Sequence, residues 1–210
     1  MSCKRPENAV VLFEGGPLSN WHGRDGSPAT WRVEDGVMTV VKGDIVSDET
    51  YMDALIHLEF MEPDMPGATG QAKANSGVFV QGRYEIQVLD SYGWAVPGKG
   101  DCGAIYNQHA PLVNACKPPL EWQTYDIIFR AARLDEAGTV VEQARMTVLQ
   151  NGIVIHNNIE MLGITGGPLD QVEGPPGPLL LQDHGGDLLQ YRNVWLVHLP
   201  LKGSDDYEPR

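Results

Sequence analysis

Residues 75–90, NSGVFVQGRYEIQVLD, decide how the rest of the chain is read. Val78 to Val80 has the apolar β-branched character of a strand, Gln81-Gly82 reads as a tight turn, and Arg83 to Val88 as a second strand. In that second strand Tyr84, Ile86 and Val88 fall on one face and Arg83, Glu85 and Gln87 on the other, the period-two alternation of a strand with one side in a core. The polar side carries a cation, a carboxylate and an amide in succession, and Asp90 follows just past the strand end. Such a set is either a wet strand face with a cross-strand salt bridge or the floor of a ligand site.

Working outward, strand signals recur along the whole chain and helix signals do not. Asp35-Gly36 and Asn151-Gly152 each sit between alternating apolar runs, and such dipeptides supply the positive-φ positions of two-residue hairpin turns. Ala54, Ile56, Leu58 and Phe60 form one apolar face, with His57 and Glu59 opposite. Near the other end Tyr191, Asn193, Trp195 and Val197 share a face by the same alternation. A Gly/Pro-rich stretch from about Ser91 to Glu121 is the longest irregular segment, and loops of that length in a compact domain are usually functional or flexible. Ten or more short strands with turns between them predict an all-β fold, a two-sheet antiparallel sandwich of jelly-roll type. No repeat or linker divides the chain, so one domain is expected over residues 9–199, followed by an acidic tail at 200–210.

The totals narrow the function. The chain has 210 residues, 42 % of them hydrophobic, with 24 glycines and 15 prolines, a globular composition rich in turns. Lys+Arg is 15 against Asp+Glu 28, a formal net charge of −13. That charge repels phosphate backbones and anionic membrane surfaces, which argues against nucleic acid and membrane partners; a neutral or cationic ligand fits better. No apolar run is long enough to span a membrane. The start, Met1 to Pro6, lacks the apolar segment of a signal peptide, so the protein is either cytoplasmic or the mature form of an exported precursor.

Candidate chemistry lies on few residues. Glu85, Gln87 and Asp90 have the i, i+2, i+5 spacing at which laminarinase-type glycosidases place their carboxylates. Gln87 breaks the comparison, because an amide does not titrate and a retaining glycosidase needs two carboxyls about 5 Å apart. In Gln182-Asp183-His184-Gly185, a histidine beside an aspartate at a strand end has the chemistry of a general base near neutral pH; the alternative is a histidine that only holds a turn. Trp94 and Tyr106, in the long loop, either stack on a sugar face or pack the loop. Gln108 belongs to the same polar group, and His109 is a candidate rim residue. Trp31, Trp122 and Trp195 read as core, and His57, His156 and His198 as packing or surface residues. No metal motif occurs, and no cofactor is required; Asp44, Asp48, Asp53 and Asp101 are loop carboxylates suited to a hard cation such as Ca²⁺. Cys102 and Cys116 are spaced to form one disulfide in an oxidising compartment, worth about 3 kcal/mol, or two buried thiols in a reducing one.

Eight segments occur in an order that resembles one bacterial family: LFEGGPLSNW, WRVEDGVMTV, NSGVFVQGRYEIQVLDSYG, GDCGAIY, EWQTYDIIFRAAR, VLQNGIVIHNN, GPLLLQDHG and YRNVWL. The family is that of the 3-keto-disaccharide hydrolases, and the likeness runs over about residues 9 to 199. It implies a concanavalin A-like lectin/glucanase fold, a ligand on the concave sheet, export from the cell (periplasmic or extracellular), and cleavage of a glycoside already oxidised to a ketone at C3.

A C3 ketone acidifies the hydrogen at C2, so one base can remove it while the C1 substituent leaves; water then adds back. This route needs a base, an acid for the leaving oxygen, and donors for the enolate, not paired carboxylates. Residue chemistry makes Glu85 and His184 the acid–base candidates, in either order. Asn75, Arg83 and Gln87 are candidates to hold the enolate or hydroxyls, with Asp90, Trp94, Tyr106, Gln108 and Asp183 as further substrate contacts. A carbohydrate-binding domain using the same face without chemistry is the alternative.

Overall fold

The computed structural model describes residues 4–200; Met1 to Cys3 and the rest of the expected acidic tail, 201–210, lie outside the described residues. Its strands, in chain order, begin with β1 (Val10–Phe13), β2 (Trp21–Gly23), β3 (Arg32–Glu34), β4 (Val37–Thr39), β5 (Ile45–Tyr51), β6 (Ala54–Met61), β7 (Ser76–Val80) and β8 (Tyr84–Val88). They continue with β9 (Gln123–Arg130), β10 (Arg133–Leu134), β11 (Val140–Glu142), β12 (Arg145–Gln150), β13 (Ile153–Glu160), β14 (Gly177–Leu181) and β15 (Gln190–His198). Among the described residues one 3-10 turn, Gly70–Ala72, precedes β7.

Two antiparallel sheets make the sandwich. The larger runs β13-β12-β9-β6-β15-β4-β3, with β1 also paired to β15; the smaller runs β2-β5-β14-β7-β8. The expected apolar faces lie between them. Ile56, Leu58 and Phe60 of β6 meet Tyr84, Ile86 and Val88 of β8 in one core. Tyr84 of the small sheet packs on Phe129 of the large one, ring centroids 5.6 Å apart, so aromatic contacts join the layers as well as fill them.

The hairpins form where the dipeptides place them. Asp35-Gly36, Gln81-Gly82 and Asn151-Gly152 all have positive φ at both residues, the geometry whose twist suits a two-residue connection. Gln81 adopts it without the help Asn or Asp would give, because its backbone N–H and side-chain amide both donate to Tyr51, at 2.9 and 2.7 Å.

Two expectations need correction. The alternation in β15 does not persist: pairing with β6 shifts register between Arg192 and Trp195, and Asn193 has φ 49°. This β-bulge lets Tyr191, Val194 and Leu196 all face the core, while Trp195 turns away to stack on His57 at 4.8 Å. Trp122 is not core either. It is half-buried, with the Arg192 guanidinium 3.8 Å over its ring, a cation–π contact at the surface.

The long irregular segment after β8 has a structural task. Gly103 N–H donates to the Gln87 carbonyl, Gln87 N–H to the Ala104 carbonyl, and Tyr106 N–H to the Glu85 carbonyl, at 2.9, 2.9 and 3.1 Å. Residues 103–106 therefore cover the edge that β8 would otherwise present. They also bring the loop beside the polar face of β8.

Candidate functional site

Glu85 and Gln87 project from β8 on the side away from the core, and both are almost wholly buried. What buries them is the rim of a pocket of about 280 Å³. Its floor is Glu85, Gln87 and Asn75, its sides Gln71, Gln182 and Tyr106, and its mouth His184 with the backbone of Gly166 and Gly167. Gln71 arrives on the 3-10 turn, Tyr106 on the loop that caps β8, and Gln182 and His184 just past β14. Register makes the hollow. Gly77 stands opposite Gln87 across the β7–β8 hairpin, and a Cβ there would lie 2.5 Å from Glu85 Oε1. Glycine is what leaves that carboxyl its place.

Burial dominates the electrostatics. Glu85 is 4 % exposed, and desolvation followed by the nearby charge of Asp44 pushes its carboxyl up to about 8. Asp44 is itself held by Arg24 and by the Asp183 N–H, the latter at 2.8 Å. Glu85 is therefore mostly a neutral acid at neutral pH. The Gln87 amide, with its nitrogen toward acceptors, donates to Glu85 Oε1 at 3.2 Å and to the Ser76 carbonyl at 3.0 Å. The His184 ring makes no hydrogen bond among the described residues and is exposed at the mouth, so the turn-holding reading does not apply to it. Asp183 holds that turn instead, accepting from Gly43 N–H and Gly186 N–H at 2.8 and 2.7 Å.

Of the ten residues singled out from sequence, five line this pocket: Glu85, His184, Asn75, Gln87 and Tyr106. The others do not, each for a physical reason. Arg83 sits just before β8 with its fork closed on Asp170, at 2.7 and 3.0 Å, and a third bond to the Pro175 carbonyl at 2.8 Å. It straps the 163–176 loop to the sheet. Asp90 is sequestered by Lys73 Nζ at 2.7 Å. Gln108 is spent on the Gly163 carbonyl and the Leu162 N–H, both at 2.8 Å. Trp94 is 43 % exposed on the loop, away from the pocket lining, as is His109, whose Nε2 lies 3.0 Å from the Glu160 carbonyl. Asp183 is occupied as described.

Gln71 and Gln182 were not identified from sequence. A glutamine in a short turn carries no pattern of its own, and only the pairing of β14 with β7 brings Gln182 across to Glu85. The four aspartates expected on loops do not assemble into a cation site, and Asp48 lies within β5. Asp44 pairs with Arg24, Asp48 with His22, Asp53 with Arg133, and Asp101 accepts from Gly98 N–H. Cys102 and Cys116 are adjacent, but as buried free thiols and not as a disulfide. Both approach Glu62, and burial pushes the Glu62 carboxyl and the Cys102 thiol well above their ordinary ranges.

Known proteins share this architecture. The family model described as the 3-keto-alpha-glucoside-1,2-lyase-like domain matches residues 8–197. Among solved structures, a "putative glycosyl hydrolase" from Parabacteroides distasonis is 40% identical, with TM-score 0.85 over 92% of this chain and 85% of its own. Two further structures under the same description from that organism are more distant. One is 20% identical, TM-score 0.69, over 92% of this chain and 95% of its own; the other is 22% identical, TM-score 0.63, over 91% and 99%. These two share the fold. No curated protein matches the chain in sequence.

Proposed function

The chain belongs to the 3-keto-alpha-glucoside-1,2-lyase-like domain family, and from that premise we propose that it cleaves 3-keto-glycosides by elimination across C1–C2. One observation carries the reading: a buried carboxyl raised to about 8 and an unpaired imidazole line one pocket, among neutral amides. Chemistry of this kind needs a group that gives a proton and another that takes one, with donors for the charge that develops between them.

The burial of Glu85 and the exposure of His184 support a division of the roles left open by residue type alone. Glu85, protonated at neutral pH, donates to the departing C1 oxygen. His184, at the mouth and free of other partners, takes the proton from C2. The C2–H and C1–O bonds break and a C1=C2 double bond forms, conjugated with the C3 ketone. Gln87, Asn75 and Gln182 present amide groups that can hold the enolate oxygen and the ring hydroxyls. Addition of water across the same bond, oxygen to C1 and proton to C2, completes net hydrolysis to the free 3-keto-sugar. A pocket of about 280 Å³, at the lower end of small-molecule sites, suits one sugar ring.

Incubating the protein with a 3-keto-disaccharide and following released sugar tests the reading. Wild type is expected to turn it over, and Glu85→Gln to slow it by about 10²-fold or more, the usual worth of a positioned acid. Equal rates for the two remove Glu85 from the chemistry. A second reading has a specific basis: four of the lining side chains are amides (Gln71, Asn75, Gln87 and Gln182), the residue type that recognises hydroxyls without reacting. Saturable calorimetric binding of unmodified disaccharides, with no turnover of the keto-sugar, would establish that carbohydrate-binding role instead.

A further inference from the structure

One hydrogen bond away from the pocket, three side chains of metal-ligand type meet in the interior. Tyr125 Oη donates to the Gln87 carbonyl at 2.7 Å and lies 3.3 Å from Cys102 Sγ. Beyond it Glu62, which follows β6 and is 0 % exposed, faces Cys102 and Cys116 from two points of the long loop. One donor atom from each of the three lies within 4.8 Å of the other two. Glu62 Oε1 is 3.7 Å from Cys102 Sγ, and Oε2 is 3.8 Å from Cys116 Sγ. Around a tetrahedral zinc ion, with Zn–S about 2.3 Å and Zn–O about 2.0 Å, neighbouring sulfur and oxygen ligands stand roughly 3.5 Å apart. Each thiol thus stands at about ligand spacing from one oxygen of the shared carboxylate.

We propose that Glu62, Cys102 and Cys116 form a structural site for a zinc-class divalent ion, bound by two thiolates and a carboxylate. Thiolate ligands select a soft or borderline ion over calcium or magnesium. The surroundings suit an anionic ligand set. Gln123 Nε2 donates to Glu62 Oε2 at 2.8 Å and approaches Cys116 Sγ at 3.6 Å, while Gln150 Nε2 donates to Cys102 Sγ at 3.3 Å. Amide donors aimed at ligand atoms are the outer contacts that orient them and offset their charge. Gln150 Oε1 is also buried without a hydrogen-bond partner, an unmet acceptor on the amide whose nitrogen faces Cys102. Binding expels the protons of both thiols and of the carboxyl, leaving the ion's oxidation state unchanged.

Such an ion would have a structural task. The segment between β8 and β9 runs from residue 89 to residue 122, long for a loop inside a compact domain. Cys102 and Cys116 fix two points of it to the end of β6. The neighbours of Cys102, Gly103 and Ala104, carry the pairing with Gln87, and Tyr106 of the pocket follows. The site would clamp the loop that forms one wall of the pocket, without touching a ligand there.

The test is metal binding, read independently of catalysis. Protein prepared under reducing conditions in zinc-supplemented medium is expected to retain about one zinc per chain. Replacing it with cobalt(II) is expected to give the near-ultraviolet thiolate-to-cobalt charge-transfer band, and chelation to lower the thermal midpoint until zinc is restored. In the Cys102→Ser/Cys116→Ser double variant the band and the retained zinc should both be lost. A wild-type protein that shows no such band overturns the proposal without recourse to any variant. So does a band that persists in the double variant, which would place the metal elsewhere. A Cys102–Cys116 disulfide in the same reduced preparation, visible as a mass two hydrogens lower, overturns it as well.

Discussion

Glu85 occupies an unusual position for a carboxyl on a sheet face: it is covered, it faces an amide, and the nearest charge acting on it has its own sign. If its proton is the one given to the leaving oxygen, kcat/KM should fall on the alkaline side with an apparent pKa of about 8. A limb near the ordinary carboxylate range would show that some other group limits the reaction. Asp44 provides a second check. Burial is the larger cause of the shift and Asp44 the next, so Asp44→Asn should move the alkaline limb to lower pH without removing it. Asn at that position can still accept from the Asp183 N–H, so the turn beside His184 is kept and the displaced limb reports charge alone. The polar identity of Glu85 and Gln87 was legible in the sequence, because alternation separates them from Tyr84, Ile86 and Val88. The fate of Arg83 was not: its partners, Asp170 and Pro175, lie about ninety residues away, and nothing local announces them.

At the scale of elements, dipeptide turns were readable and register was not. Asp35-Gly36, Gln81-Gly82 and Asn151-Gly152 declare their hairpins through backbone preference, which is a local property. The bulge at Asn193 is a tertiary one. Only the pairing of β15 with β6 decides that Val194 and Leu196 turn inward where strict alternation puts Asn193 and Trp195 with Tyr191. The β7–β8 hairpin likewise hides its most consequential residue. Gly77 looks like a weak point in a strand, yet its missing side chain is the space Glu85 Oε1 uses; a Cβ would stand 2.5 Å from that atom and 2.8 Å from the Phe79 ring. Gly77→Ala should therefore displace the Glu85 carboxyl, the more yielding of the two neighbours, and lower kcat by about 10²-fold, as a misplacement of roughly 1 Å can. Circular dichroism and the unfolding midpoint should change little by comparison. A variant with unaltered kcat would mean that the Glu85 position is not critical.

The whole molecule is a sandwich whose smaller sheet is walled by loops, and that enclosure has a thermodynamic consequence. Periodicity predicted the sandwich, since many short strands with turns between them and a single apolar face per strand leave few other ways to bury a core. The wall was beyond it, because the loop after β8 is distant in sequence from the 163–176 strap and the end of β14 and meets them only through sheet order. Enclosing Glu85 among Gln87, Asn75 and His184, with Asp44 close behind and Arg24 turned to Asp44, raises its folded-state pKa from 4.5 to about 8. Between those values the folded state holds a proton that the unfolded chain has released. Stability must therefore fall as pH rises through that window, by up to about 1.4 kcal/mol per pH unit from this group, and level off above it. The sign is opposite to that of a salt-bridged carboxylate. Glu85→Gln keeps the shape and removes the titration, so the variant should match wild type near pH 4.5 and exceed it near pH 8.5 in urea-unfolding free energy. Parallel pH profiles for the two proteins would show that Glu85 ionises in the folded state as readily as in the unfolded chain, and the proton-donor role would fall with that result.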